Sequence, residues 1–577
     1  MLPACLPAAN FAPWTGWIVF DEFDLVVIGA AAAGYARRAS LRTVRLASTA
    51  TMPRAMLALG LLCAVTTALA FVRGVTASDG KSFGWYDGYA DPLNALRVAK
   101  SALYVMLLSP LLWQQLRRPN VGVVHRVATG MITGTTLVVI AVLWERAAYP
   151  GLFDFSKPYR TAALFWEMQV GGAAIDGYLV MAVPFVAWAV GRARVPLHWM
   201  AAATLALLVE YACLTTYSRG VFVGVFGSMA VLGAMLASSR VRATSPTWRG
   251  RANAVLIVVA LIQGVVVVGS DSFMLGRVKT SVYDLSSRIL HWKNGLRLLH
   301  GPADWWLGKG LGRLPIEYAA SVAGEEFSGE ARIAPNRGNG HLYLSGPNHT
   351  PALAGLYALT QRVTNESTAY RIAFDARVDK EVRVSVSVCE AHLLYEHECQ
   401  RGVMQLFSAG GSWQHVAVPL EGPRLRGGGW PYRTAVFSIA LLNADSRAEL
   451  DNFVLSGDGG ANLLRNADFS RGLAHWFPVA KDYYIPWHID NVYLEVLIER
   501  GIVGAATFAL LLASALTALL SPRVRELPIA PFLVASLVGA LLVGMVSSLL
   551  DVPRVAFLLF FLACLSIQLA AAHRSPE

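Results

Sequence analysis

Long apolar runs recur along this chain, and they leave a narrow choice of folds. Runs of roughly 17–25 residues lie near 17–36, 53–72, 97–115, 127–146, 175–191, 197–215, 220–238, 252–270, 492–519, 528–550 and 553–572. Each is about the length that an α-helix needs to cross the ~30 Å apolar layer of a bilayer. Backbone amides in lipid must bond within their own segment or a closed barrel, which selects helices for runs of this length. Of the 577 residues 55% are hydrophobic and 15% charged, against about 25% charged in a soluble domain. The chain therefore reads as a polytopic α-helical membrane protein with about 11 transmembrane helices. The first run is interrupted by Asp21, Glu22 and Asp24, so a helix there starts late or the segment is re-entrant.

The formal net charge of +11 raises nucleic acid as a partner, but the arginines sit in short loops between apolar runs. Arg37, Arg38, Arg42, Arg45 and Arg54 crowd the first loop, and Arg117, Arg118 and Arg126 the third. Arg192 and Arg194, then Arg240, Arg242, Arg249 and Arg251, then Arg523 and Arg525, and last Arg574 continue the alternation. Basic residues in every second loop follow the positive-inside rule. Membrane orientation accounts for the charge, and no nucleic-acid partner is expected. The C-terminus is expected in the cytoplasm and the N-terminus outside, with segments 73–96, 147–174, 271–491 and the turn at Arg219 facing outward. The first basic residue is Arg37, so no cleaved secretory signal is expected.

Between about 325 and 486 the apolar runs stop, giving three parts: 1–324, 325–486 and 487–577. Val382, Val384, Val386 and Val388 alternate with Arg383, Ser385 and Ser387, the period of a half-buried strand. Further strands are expected over 370–377, 413–418 and 435–442, separated by turns such as Gly427-Gly428-Gly429. Many short strands without a helical pattern predict an inserted all-β sandwich. Cys389 and Cys399 flank a short excursion. On the oxidising side of a membrane they read as a disulfide worth about 2–3 kcal/mol, with two buried thiols as the alternative. His392 and His397 lie between them, but their spacing is no recognised metal-ligand pattern. Cys5, Cys63, Cys213 and Cys564 read as small packing residues.

Three stretches outside the insert carry polar groups toward the same side. Tyr217-Ser218-Arg219-Gly220 opens a span, and an arginine there can also simply snorkel to lipid phosphate. Ser287-Arg288 leads through Trp292 and Pro302 into Gly308-Lys309-Gly310-Leu311-Gly312, a glycine-rich loop with no strand before it to mark a nucleotide fold. His488-Ile489-Asp490-Asn491-Val492-Tyr493-Leu494-Glu495 then enters the ninth span, with Asp490 or Asn491 suited to cap it. Glu495 and Glu499 share one helix face.

The segment Asn462-Leu463-Leu464-Arg465-Asn466-Ala467-Asp468-Phe469-Ser470, followed by Gly472-Leu473 and Trp476, resembles a stretch of carbohydrate-binding-module jelly rolls, with Ala467 in place of the usual Gly. Leu450-Asp451-Asn452-Phe453 resembles the strand before it. The likeness implies a jelly-roll-like fold; Trp413, Trp430 and Trp476 then either stack on sugar or fill the core. In order and spacing, the three polar stretches resemble the O-antigen ligase and polymerase superfamily of bacterial inner-membrane proteins. That resemblance implies transfer of a glycan from undecaprenyl diphosphate to an acceptor hydroxyl at the periplasmic face, without metal or cofactor. It puts the essential arginines at Arg219 and Arg288 and substrate contacts at Asn491 and Tyr493. The base is His488 or Asp490, because Asp490 stands where ligases carry their histidine. The acceptor is a glycan, lipid A-core or, for a protein O-oligosaccharyltransferase, a protein hydroxyl. From another class, a polysaccharide transporter or a membrane-anchored glycan-binding protein remains. A transporter predicts broken helices with buried charges, of which the central spans show little beyond Glu210.

Overall fold

The computed structural model describes residues 2–42, 52–78, 84–118, 122–157, 159–165, 173–238, 247–269, 281–321, 329–334, 340–347, 356–364, 367–393, 395–425, 429–481 and 488–574. Two short helices, α1 (Leu2–Cys5) and α2 (Ala12–Thr15), precede α3 (Glu22–Arg42), α4 (Arg54–Thr76), α5 (Pro92–Leu116) and α6 (Val123–Ala148). Next come α7 (Ala173–Arg192), α8 (Pro196–Thr215), α9 (Arg219–Ser238) and α10 (Thr247–Gly269), then α11 (Ser281–Leu296), α12 (Pro302–Leu307) and α13 (Leu314–Ser321). After the strands the chain closes with α14 (Val492–Leu520), α15 (Ala530–Val543) and α16 (Pro553–Arg574).

Nine helices among the described residues are long and apolar enough to cross a membrane. Two of the expected eleven runs differ. The first begins as helix only at Glu22, and Lys100 of α5 holds its acids, 2.7 Å from Asp24 and 3.6 Å from Asp21. The run at 528–550 is helical only over the 14 residues of α15. It then unwinds through Gly544 to Asp551, where Ser547, Ser548 and Asp551 are buried polar residues in an otherwise apolar stretch.

Ten strands form two antiparallel five-stranded sheets, in the order β1-β2-β9-β4-β7 and β10-β3-β8-β5-β6. Here β1 is Glu330–Ala334, β2 His341–Ser345, β3 Leu356–Val363, β4 Arg371–Arg377, β5 Val382–Ala391, β6 Glu396–Leu406, β7 Gln414–Pro419, β8 Ala435–Leu441, β9 Arg447–Ser456 and β10 Phe477–Lys481. Val382, Val384, Val386 and Val388 of β5 are fully buried, as their alternation predicts. Between the sheets Trp476 packs with Phe437, Phe453 and Phe469 at centroid distances of 5.3–6.1 Å, and its indole N–H donates to the Asn466 carbonyl at 3.0 Å. Trp476 is therefore core, whereas Trp430 is 92% exposed. Trp413 is 39% exposed, edge-on to His341 and faced by Arg377. The Cys389–Cys399 disulfide joins β5 to β6 at directly paired positions.

The described parts of the segments that the arginine pattern assigns to one side gather at one end of the helices, under the sandwich. Leu473 N–H donates to the Tyr86 carbonyl (2.8 Å), Ile333 N–H to Asp87 (3.0 Å) and Arg465 to Trp14 (2.6 Å). The Tyr149 hydroxyl lies 2.8 Å from that of Thr434, and Arg433 donates to the Ala148 carbonyl at 2.5 Å. One buried apolar cluster runs from the sandwich into Tyr86, Leu93, Leu298, Leu314, Tyr318, Ile489 and Ile498. The sandwich is thus seated on the helical part rather than hung from it.

His392 sits in this seam, 2% exposed, its Nε2 donating to the Ala163 carbonyl at 2.6 Å. Burial first, then the Arg362 guanidinium, pushes its pKa down to about 3. An unfolded histidine takes up its proton near pH 6.5, so between there and about 3 the unfolded state holds the extra proton and stability falls with pH. Acidification from pH 7 to 5 is expected to cost about 2 kcal/mol through this residue. Thermal melts should show that slope in the native chain and lose most of it in His392→Gln.

Candidate functional site

The site begins where the chain re-enters the helices after the sandwich. Asn491 caps α14, its Oδ1 accepting from Tyr493 N–H (3.0 Å) and Leu494 N–H (3.1 Å). Asp490 before it holds a left-handed backbone, with φ of 49°. Three consecutive carbonyls released where α15 ends are capped from this side. Val492 N–H donates to Gly544 (2.8 Å), Asn491 Nδ2 to Met545 (3.0 Å) and Arg288 Nη1 to Val546 (3.1 Å). Helix-end carbonyls need such partners, and their supply here stabilises the break in an apolar run.

Arg288 Nη1 also lies 3.2 Å from Asp490 Oδ2, both side chains being partly exposed. Gly220, next to Arg219, packs so closely that a Cβ there would lie 3.0 Å from Val546 Cγ2. The helix that Arg219 opens thus packs through Gly220 on Val546, the residue whose carbonyl Arg288 holds from a different helix. Asn491 and Tyr493 are engaged within the fold, the Tyr493 hydroxyl donating to the Leu541 carbonyl at 2.7 Å.

His488 lies deeper, at 7% exposure. Its Nδ1 is 3.5 Å from Asp551 Oδ2, a position that favours the proton on Nδ1 and the lone pair on Nε2. Asp551 is gripped by Arg97, whose Nη2 lies 2.5 Å from Oδ1 and whose Nη1 donates to the Asp551 carbonyl at 2.7 Å. His291 Nε2 meets the His488 carbonyl at 2.6 Å, so that nitrogen donates and its Nδ1 accepts from the Tyr318 hydroxyl at 2.7 Å. Tyr89 stands edge-on to the His488 ring at 6.4 Å. Burial holds the His488 pKa below the usual imidazole range, against the opposing pull of Asp551 and Asp490. The imidazole is therefore neutral near pH 7, the form a general base requires.

The glycine-rich loop serves the fold. Lys309 N–H donates to the Ile498 carbonyl (2.8 Å), Gly310 N–H to Glu499 (3.0 Å), Leu311 N–H to Ala70 (2.9 Å) and Gly312 N–H to Glu499 Oε1 (2.9 Å). The amides of Lys309 and Gly310 satisfy carbonyls at a break in α14, where Gly501 has φ 64° and ψ −172°, while that of Leu311 ties the loop to α4. A Cβ on Gly308 would lie 2.3 Å from the Glu499 carbonyl carbon, and one on Gly501 2.4 Å from Leu307 N. Both glycines are demanded by backbone-to-backbone contact, and the loop has no amides left for phosphate among these four. Glu495 and Glu499 do share a face, and both are buried.

Sequence reasoning missed Asp551, Arg97, His291 and Tyr89. The available signal was a charged residue inside or beside an apolar run, which in a membrane chain marks a partner or a function. Among the described residues, Cys389, Glu396 and Cys399, and separately Glu390, His397 and Glu398, bring ligand-type atoms within 4.8 Å of one another. The first group is closed by the disulfide, and in the second Arg433 lies 2.7 Å from Glu390, where a cation would be repelled.

No family model matches the chain, and no curated protein matches it. Among solved structures, that of TmCBM61 in complex with beta-1,4-galactotriose aligns over 22% of this chain and 82% of its own, at 13% identity and a TM-score of 0.15. A likeness that low carries no argument about ligand.

Proposed function

We propose that this chain is a multi-pass protein of a bacterial inner membrane that transfers or polymerises glycan at the periplasmic face. The glycan arrives on undecaprenyl diphosphate and leaves on an acceptor hydroxyl, with the C-terminus cytoplasmic and the sandwich periplasmic. One observation carries the reading. The two ends of the large loop meet, so that Arg288 pairs with Asp490 while His488, two residues earlier, is backed by Asp551. Two permanently charged guanidiniums, Arg219 and Arg288, suit a departing diphosphate, to which arginine donates bidentately. Asp490 serves as counter-ion to Arg288, which supports His488 as the base. The acceptor oxygen attacks the anomeric carbon and its proton passes to His488 Nε2. The bond from that carbon to the diphosphate oxygen breaks, and its electron pair leaves with the diphosphate. The proton is later released to solvent, and no metal is required.

A second reading, export of polysaccharide, gains from the two interrupted helices α14 and α15 beside buried Glu495, Glu499 and Asp551. A deletion strain separates the readings on a gel of surface polysaccharide. Loss of the length ladder with single units retained indicates polymerase, and complete loss from lipid A-core indicates ligase. A mobility shift in a surface protein indicates a protein O-oligosaccharyltransferase. Full-length glycan accumulating inside the cell would point to export and sink the transfer reading.

A further inference from the structure

Residues 84–91, which run into α5, are one of the segments through which the sandwich reaches the neighbourhood of His488. Leu473 N–H holds the Tyr86 carbonyl at 2.8 Å and Ile333 N–H the Asp87 carbonyl at 3.0 Å. Gly472, at φ +57°, packs so tightly that a Cβ would lie 2.6 Å from both the Tyr86 carbonyl oxygen and Asp87 Oδ1. The backbone of Tyr86 is thus pinned from the insert.

Its side chain is 4% exposed, and the hydroxyl has no hydrogen-bond partner among the described residues. Arg97, Asp91 and Asp551 are close enough to act on that hydroxyl electrostatically, and so is Tyr89, whose ring abuts His488. Buried hydroxyls are almost always paired, because leaving one unpaired forfeits its bond to water. Burial pushes the phenol well above its ordinary range, so it keeps its proton and donates.

We propose that the Tyr86 hydroxyl binds an oxygen of the lipid-diphosphate glycan, and that the insert is the device that positions it there. This rests on the glycan-transfer reading above. It also gives the sandwich a task distinct from gripping sugar: holding segment 84–91 against the His488–Asp551–Arg97 group.

The test uses the full chain in nanodiscs with a purified undecaprenyl-diphosphate glycan. Tyr86→Phe keeps the ring and removes only the hydroxyl; turnover should fall about 10- to 100-fold. Its melting temperature should hold or rise, since an unpaired buried group has gone. Gly472→Ala should lower turnover in the same direction, speed hydrogen exchange across residues 84–91, and add little in the Tyr86→Phe background. Wild-type turnover in Tyr86→Phe, as expected if the hydroxyl merely held a trapped water, overturns the inference. Losses that multiply independently in the double variant overturn the positioning role. A native chain that transfers nothing sinks the function itself, and is thereby told apart from a failure at Tyr86 alone.

Discussion

Arg288→Ala is expected to lower glycan transfer by about two to three orders of magnitude, the usual loss when one preorganised donor to transition-state charge is removed. The protein should persist at near-normal level in the membrane. Arg288 is 35% exposed at its side chain, and its pairing with Asp490 is the partly solvated kind worth about 0–1 kcal/mol. Its bond to the Val546 carbonyl is a further modest tie, because Gly544 and Met545 keep their own donors. Arg219→Ala should behave alike, since its helix starts against the same Val546. Arg288→Lys is informative: it retains charge but not the bidentate fork, so it should recover only a small part of the rate. Transfer assayed in membranes, normalised to protein by immunoblot, decides the matter; full activity in either alanine variant removes that residue from the diphosphate site.

Asp551→Ala should act on the fold as well as the rate. It would leave the Arg97 guanidinium, 3% exposed, without its carboxylate. Breaking one side of a buried pair costs about 3–5 kcal/mol, far more than the pair itself contributes. A large drop in melting temperature in detergent is expected. The double replacement Arg97→Met with Asp551→Leu removes both charges, and should restore much of the stability without restoring transfer. Asp551→Asn keeps the shape and a polar contact to Arg97 while withdrawing the charge that orients His488. Its transfer should fall by about 10² or more, with a smaller drop in melting temperature than Asp551→Ala because Arg97 keeps a hydrogen-bonding partner. If Asp551→Asn transferred normally, the carboxylate would be a structural partner of Arg97 and nothing more.

Much of the architecture was legible because its causes are periodic and local. Apolar runs of helix length, arginines in alternate loops and the two-residue alternation at Val382–Val388 each state their element without help from distant residues. The disulfide was legible for the same reason, since Cys389 and Cys399 close a short hairpin excursion. Hydropathy misled at 528–550, where an apolar run of ample length stops being helical at Val543. Nothing within that run reports that Asn491, Val492 and Arg288 will supply donors to its carbonyls. The task of the glycine-rich loop was not legible either. No strand precedes it to mark a nucleotide fold, and nothing in its spacing reports that two of its amides meet the carbonyls of a broken helix nearly two hundred residues further on while a third meets Ala70.

The sequence alone determined that this chain would be a set of apolar helices with a β-sandwich lodged in one long loop, and it marked Arg219, Arg288, His488 and Asp490 as residues to watch. Only the tertiary structure assigned their partners. Asp490 faces Arg288, and His488 faces Asp551 held by Arg97 from a helix at the far end of the numbering. It also changed the insert from an interruption into the support beneath Tyr86. The physical reason is the range of the forces. Helix and strand formation follow from residues a few positions apart, whereas a buried charge or hydroxyl is satisfied by whichever group the packed fold brings within about 3 Å.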